Sequence, residues 1–321
     1  MKNIPDGQLN TNYDDSGDEI PLPELLHLLF QGKWIIVSVT AFVSMIGVVF
    51  SLYLPNIYES EALLAPVDSS DSMSLGGGVG ALAGLAGVKL PTAGGEGNSK
   101  KAISTLNSLS FFENNILPDI FLPDLMAIKS WNSQTNTLAY DENLYQKNSN
   151  TWVRDYSYPE KQIPSAQESF KVFTTKHFQI IEEQKTGFLQ LKIKHQSPFI
   201  AKQWSELIIN KINAYYRQKD KAESEKSVSY LNQQITTTRL AEVKEALAEL
   251  LQQHIKKLTV IEAKQLYVFE IIDPPAVMEL HSKPNRPLMY ILFGLLGGIM
   301  GIGFVLFRHI DKKKFIRYFD N

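Results

Sequence analysis

Two uncharged apolar runs, residues 34–54 and 288–307, constrain what this chain can fold into more than any other feature. They read WIIVSVTAFVSMIGVVFSLYL and LMYILFGLLGGIMGIGFVLF. As helices rising about 1.5 Å per residue, each reaches roughly 30 Å, the thickness of a bilayer's hydrocarbon core. A helix of that length in a soluble protein carries a polar face, and neither run has one, so both are predicted to cross a membrane. The segment before the first run is long and acidic, unlike the short basic start of a cleaved signal, so that run is expected to stay as an anchor.

Two spans place both termini on one side. Arg308, Lys312, Lys313, Lys314 and Arg317 crowd the end of the second span, against Lys283 and Arg286 before it, and only Lys33 precedes the first. The bias predicts cytoplasmic termini. The expected organisation is a cytoplasmic tail (1–33), a first span (34–54), one large domain outside the cytoplasm (55–286), a second span (287–307) and a short basic cytoplasmic tail (308–321). With 32 basic against 34 acidic side chains, charge balance argues against nucleic acid as a partner. The absence of cysteine excludes disulfides, thiolate metal sites and cysteine nucleophiles.

The stretch up to Glu19 reads as a disordered acidic tail, and 20–33 (IPLPELLHLLFQGK) as a short amphipathic helix leading along the membrane surface into the first span, with a partner contact as the sharper reading. After the span, 58–64 suggests a strand. Nine glycines then fall within 76–97, where no Gly-Lys-Ser/Thr follows, so a mobile loop is favoured over a phosphate cradle. A helix is predicted over 101–115. Residues 179–184 and 188–195 flank Lys185-Thr186-Gly187, and Leu189, Leu191 and Ile193 alternate with Gln190, Lys192 and Lys194, which predicts a hairpin with one wet face. A further strand, 267–273, stops at Pro274-Pro275.

From 199 to 235 there is neither Pro nor Gly, and the apolar period is helical. The middle of this helix, 217–226 (RQKDKAESEK), is charged nearly all round and is expected to project into solvent. Thr236, Thr237 and Thr238 offer a break, and a second helix over 239–264 carries Leu240, Val243, Leu247, Leu250, Leu258 and Ile261 on one stripe. An antiparallel helical hairpin (199–264) standing on a base (55–198 and 265–286) is predicted. A stalk packed on itself and a stalk meeting neighbouring copies are equally supported. The latter makes Leu240, Val243, Leu247 and Leu250 oligomer contacts.

The chemistry-bearing residues form no catalytic constellation. Six scattered histidines make no HExxH or paired-ligand spacing, no Gly-x-Ser-x-Gly occurs, and no two carboxylates are paired by sequence. His195 reads as a structural histidine. No enzyme, cofactor or metal is therefore expected. In the spans, small residues align: Gly294, Gly297, Gly298 and Gly301 in the second, and Thr40, Ser44, Gly47 and Ser51 in the first at steps of four, three and four. Such spacing predicts close packing of the spans on each other or on neighbours.

Several short motifs fall in a fixed order: Glu24-Leu25 before Gly32-Lys33-Trp34, Pro55-x-x-Tyr58-x-Ser60-x-Ala62, Thr151-Trp152-Val153-Arg154, Lys185-Thr186-Gly187-Phe188, Ser197-Pro198-x-x-Ala201-x-x-Trp204, and Lys283-Pro284-x-x-Pro287 at the membrane re-entry. In this order the chain resembles the Wzz family, the polysaccharide co-polymerases or O-antigen chain-length determinants of Gram-negative bacteria. It departs from the commonest pattern at Pro21, where an acidic residue often stands, and in its long glycine-rich loop.

The resemblance implies an α+β membrane protein of the bacterial inner membrane, with two transmembrane helices flanking a periplasmic α/β base domain and a long extended helical hairpin. It implies a ring-shaped homo-oligomer, a hollow bell, that sets the modal length of lipid-linked O-antigen in lipopolysaccharide biosynthesis. The implied partners are a Wzy-type O-antigen polymerase, the growing lipid-linked polysaccharide and membrane lipid. The short segment after 307 leads us to expect neither a kinase nor a sensor output domain. A membrane-anchored periplasmic glycan-processing enzyme is the alternative.

Overall fold

The computed structural model describes residues 22–67 and 96–319. The acidic stretch before Glu19 and nearly all of the glycine-rich stretch lie outside the described residues. Two compact units emerge, Met1–Leu54 with Asn285–Asn321, and Pro55–Pro284.

In chain order, α1 (Leu22–Gln31) and α2 (Lys33–Tyr53) precede β1 (Tyr58–Pro66), and α3 (Glu96–Leu106) opens the next stretch. Short helical turns over 109–126 lead to two small antiparallel pairs, β2 (Ile128–Asn132) with β3 (Thr137–Tyr140) and β4 (Tyr145–Gln146) with β5 (Thr151–Trp152). Then come α4 (Ala166–Val172), β6 (Phe178–Glu182), β7 (Leu189–His195), α5 (Pro198–Thr237), α6 (Ala241–Ala263), β8 (Phe269–Asp273) and α7 (Arg286–Phe319).

The unit Pro55–Pro284 is built on one antiparallel sheet of order β6-β7-β1-β8. Its alternation follows the pleat. Leu189, Leu191 and Ile193 of β7 point into the core with Ala62 and Leu64 of β1, while on the other face Lys192 pairs with Glu61 at 2.7 Å and Glu59 at 3.3 Å. The turn between β6 and β7 needs Gly187, whose φ of 70° lies in the left-handed region. The strands at the two ends of this unit's sequence are neighbours: β1 pairs with both β7 and β8.

The helix expected over 101–115 is interrupted. The Asn107 side chain donates to the Ile103 carbonyl at 2.9 Å, and the Ser108 hydroxyl donates to the Thr105 carbonyl while accepting from the Phe111 N–H. Short polar side chains that satisfy nearby backbone groups compete with the helical ladder, which restarts beyond them. The strands β2 to β5, two to five residues each, carry no alternation long enough to read from sequence.

The 40-residue α5 is roughly 60 Å long. Its first half buries Ala201, Trp204, Ile208, Ile209 and Ile212 in the core. Its charged middle differs from expectation, because Asp220 and Ser224 are buried. Asp220 accepts from the Tyr267 hydroxyl at 2.7 Å and pairs with Lys257 of α6 at 3.4 Å, and Lys221 pairs with Glu262 of α6. A charge is tolerated there because its partners come from elsewhere in the chain, which one helix's periodicity does not reveal.

Where α5 leaves the sheet, the buried Asn213 carries an unusual load. Its Oδ1 accepts from three successive backbone N–H groups, those of Tyr267, Val268 and Phe269, at 2.9, 2.7 and 3.0 Å. Its Nδ2 donates to the carbonyls of Ile209 and Phe269 at 3.0 and 3.2 Å. Truncation at Asn213→Ala orphans these buried groups at a cost of about 3–5 kcal/mol. Hydrogen–deuterium exchange of the full chain in detergent should show the amides of Tyr267 to Phe269 exchanging far faster than those of β7; unchanged protection there would refute this role.

Candidate interaction surfaces

In the first unit, α2 and α7 pack along a seam of small residues. A Cβ added to Gly297 would stand 2.9 Å from the Thr40 Cα, and one added to Gly301 would stand 3.0 Å from the Ile36 Cα, so backbone meets backbone at both positions. A Cβ on Gly294 would lie 3.8 Å from the Ser44 hydroxyl, Gly47 sits against the Phe293 ring, and Ser51 is fully buried. Gly298 is placed differently: nothing lies within 4 Å of a Cβ built there. Its small size serves no contact inside this chain, so Gly298 stands apart from the other three glycines with which sequence spacing grouped it.

The re-entry prolines have separate local roles. The chain before Pro284 is held by an antiparallel bridge between Ile57 and Lys283, with Ile57 N–H donating to the Lys283 carbonyl at 2.9 Å. Pro287 lies in the first turn of α7, where a missing N–H costs nothing, and the Asn285 side chain caps that helix by accepting from the Leu288 N–H at 3.3 Å.

The helices α5 and α6 divide the stripe read from sequence into two. Leu247, Leu251, His254, Leu258 and Ile261, at steps of four, three, four and three, form the covered stripe of α6, with Lys257 and Val260 half-buried beside it and Ile261 at 1% exposure. Leu240, Val243 and Leu250 are instead 69%, 44% and 46% exposed, and Ile255 and Tyr230 are exposed as well. Leu247 therefore belongs to the inner seam, and the other three oligomer candidates stay exposed.

His195 is fully buried and fully engaged. Its Nδ1 accepts from the Ser197 N–H at 2.9 Å and its Nε2 donates to the Asp124 carbonyl at 3.1 Å, which fixes the neutral Nε2–H tautomer. Burial, with the neighbouring His177 ring at 5.7 Å, pushes its pKa down to about 4. His177 is lowered too, again chiefly by burial, and donates from Nδ1 to the Lys194 carbonyl at 2.7 Å. Trp204 packs edge-on against both rings. The arrangement is a structural corner: both nitrogens of His195 are engaged, and His177 is tied by Nδ1 to the backbone of β7. Among the described residues, no group of three or more His, Asp or Glu side chains is placed to hold a metal.

The motif Thr151-Trp152-Val153-Arg154 also resolves into packing. The Trp152 ring packs at a tilt against Tyr145, and Arg154 grips both carboxylate oxygens of Glu168 at 2.9 and 3.0 Å, while Glu168 itself closes a capping box with Ser165 at the start of α4.

Two apolar helices, Lys33–Tyr53 and Arg286–Arg308, are long enough to span a bilayer and suggest a membrane protein, the mixed sheet-and-helix unit lying between them in sequence. Residues 18–114 match the family model of chain length determinant protein, Wzz, and residues 231–310 match the G-rich domain on putative tyrosine kinase, GNVR. These matches place a Wzz chain length determinant domain in the first third of the chain and a GNVR domain towards its end. The GNVR match covers the end of α5, α6, β8 and the second span. No curated protein matches the chain in sequence. Among solved structures, one described as a full-length bacterial polysaccharide co-polymerase is 13% identical, covering 91% of this chain and 98% of its own, with a TM-score of 0.41. Nothing in these comparisons favours the glycan-processing alternative.

Two outcomes are expected. A cysteine pair at Ser44→Cys and Gly294→Cys should cross-link within one chain on oxidation, in a background free of cysteine. Adding Gly301→Leu should abolish the cross-link and adding Gly298→Leu should not; equal effects would remove the distinction between the two glycines. The second concerns pH. The folded pKa of His195, about 4, lies below its unfolded value near 6.5, so the stability it contributes is complete above pH 6.5 and is lost as pH falls towards 4, a loss of about 3 kcal/mol. Melting temperatures of wild type and His195→Gln between pH 7.5 and 4 should converge at acid pH; parallel curves would sink this assignment.

Proposed function

We propose that this chain sets the modal length of lipid-linked O-antigen made by a Wzy-type polymerase, performing no chemistry of its own. The observation that carries the proposal is the match of residues 18–114 to the chain length determinant family. The Lys and Arg bias around the second span supports cytoplasmic termini and a periplasmic placement of residues 55–286 in the bacterial inner membrane. In this reading α5 and α6 form a hairpin that projects away from the membrane, and the chain acts as a ring of identical subunits.

The ring is supported by apolar side chains left exposed at the start of α6 and along it. Leu240, Val243 and Leu250 leave apolar surface in water that a second copy would cover, each such side chain contributing roughly 1.5–3 kcal/mol when buried. A two-helix projection has a thin core and gains from such company. Small-residue packing in the spans holds each subunit's membrane anchor together.

The direct test compares O-antigen ladders on gels from cells with and without the chain. A modal cluster that collapses to a random distribution on deletion is expected, and an unchanged ladder refutes the function. Reporter fusions at Asn150 and Asn321 check orientation, with cytoplasmic activity expected at Asn321 alone. Val243→Asp with Leu250→Asp alters the open face without touching the inner seam. That variant should lose both the large oligomer in detergent and the modal length. A stable monomer with wild-type lengths would separate oligomerisation from length control.

A further inference from the structure

A concavity of about 390 Å³ lies between α3 and α5, lined by Lys100, Lys101, Ser104 and Thr105 of the first helix and Tyr216 and Lys219 of the second. Three of its six lining side chains are ammonium groups, and no ion pair among the described residues engages any of them. Asp220, next to Lys219 in sequence, is committed to Tyr267 and Lys257. The hydroxyls sharpen the chemistry. Thr105 Oγ1 and Tyr216 Oη are 2.8 Å apart, and Tyr216 is buried. Of their two hydroxyl hydrogens, one is used between them, so whichever oxygen donates, the other keeps an O–H to offer. The Ser104 hydroxyl donates to the Lys100 carbonyl at 3.1 Å. Lys219 Nζ stands 5.7 Å from the centre of the Tyr216 ring, which steadies its stem beside the concavity.

Three ammonium groups around a spare O–H make a surface that donates hydrogen bonds and accepts few. All three lysines are exposed, and a group with several charged acceptor oxygens can take hydrogen bonds from several of these donors at once. We propose that the concavity between α3 and α5 is an oxyanion site, taking a carboxylate or phosphate carried by the saccharide on which the chain acts. The saccharide part rests on the function proposed above; the oxyanion part rests on these six residues alone. A bound uronate or sugar phosphate would touch the middle of α5, about a turn beyond the Asn213 anchor.

The experiment uses the full chain in nanodiscs of phosphatidylcholine, titrated calorimetrically with inorganic phosphate, with trigalacturonate and with the uncharged maltotriose. Both anions are expected to bind saturably and to compete, and maltotriose to show no binding. Lys101→Gln with Lys219→Gln should weaken both anions about tenfold or more. The control pair Lys129→Gln with Lys171→Gln, which removes the same charge from exposed positions elsewhere, should leave affinity unchanged. No saturable binding of either anion, or equal losses in the two variant pairs, overturns the site. Binding of phosphate without trigalacturonate overturns a carboxylate-bearing saccharide as its ligand. A ladder that depends on the chain while neither anion binds removes the site alone, and a ladder independent of the chain removes the length-control reading while the titration stands.

Discussion

One amide side chain holds the extramembrane unit at its branching point. Asn213 sits where α5 stops covering the sheet and runs on beside α6, and its Oδ1 gathers the three backbone N–H groups with which the chain returns into β8. A strand entering a sheet from a helix must place its first donors somewhere, and buried donors without partners are costly. A carboxylate could accept them but would bring a buried charge, and Gln would move the oxygen by a methylene. Asn also donates to the Ile209 and Phe269 carbonyls, so one side chain closes the accounts of two elements. The angle at which the helix pair leaves the sheet follows from that clamp and from the Asp220–Tyr267 hydrogen bond one and a half to two turns further along α5.

The sheet gathers the chain's comings and goings in the same way. The strand after the first apolar helix, β1, and the strand before the second, β8, lie side by side, although about 200 residues separate them in sequence. Ile57 then bridges to Lys283, and the Ser60 hydroxyl donates to the Ala276 carbonyl at 3.0 Å. Sequence-distant pairing of this kind carries a loop-closure cost, offset here by a contiguous core: Leu64, Leu191, Ile193 and Phe269 are all essentially inaccessible to water.

What could be read from sequence had a period or a length. The β6–β7 hairpin announced itself by alternation, the spans by length and lack of charge, and α5 by its uninterrupted helical period. Motif residues noticed only for their order turn out to be packing devices: Ala62 and Ala201 buried in the core, Trp204 against His195, Arg154 on Glu168. The unread parts depend on partners that sequence does not pair. Asn213 is an ordinary polar residue in a helical run until β8 arrives. Asp220 seemed too charged to bury because Tyr267 and Lys257 were out of view. The glycines of the second span divide between an inner face and an open one only once the first span's position is known.

The helix pair illustrates how far periodicity goes and where it stops. A single stripe from Leu240 to Ile261 fits a helix laid on one partner, yet only part of it is covered: Leu247, Leu251, His254, Leu258 and Ile261 are half-buried or buried, whereas Leu240, Val243 and Leu250, with Ile255 beside them, stay exposed. The covered stripe is mainly aliphatic, with His254 as a polar member, and across it α5 contributes the buried Ser224 alongside Leu231. The ion pairs Lys221–Glu262 and Lys257–Asp220 beside it fix register more than they add stability. The side chains left in water are Leu240 and Val243, nearest the turn that joins α5 to α6, with Leu250 and Ile255 further along. Two helices alone bury little apolar surface, so a neighbouring copy of the kind proposed above would stabilise the pair by covering these side chains, whereas the covered stripe needs no partner beyond α5.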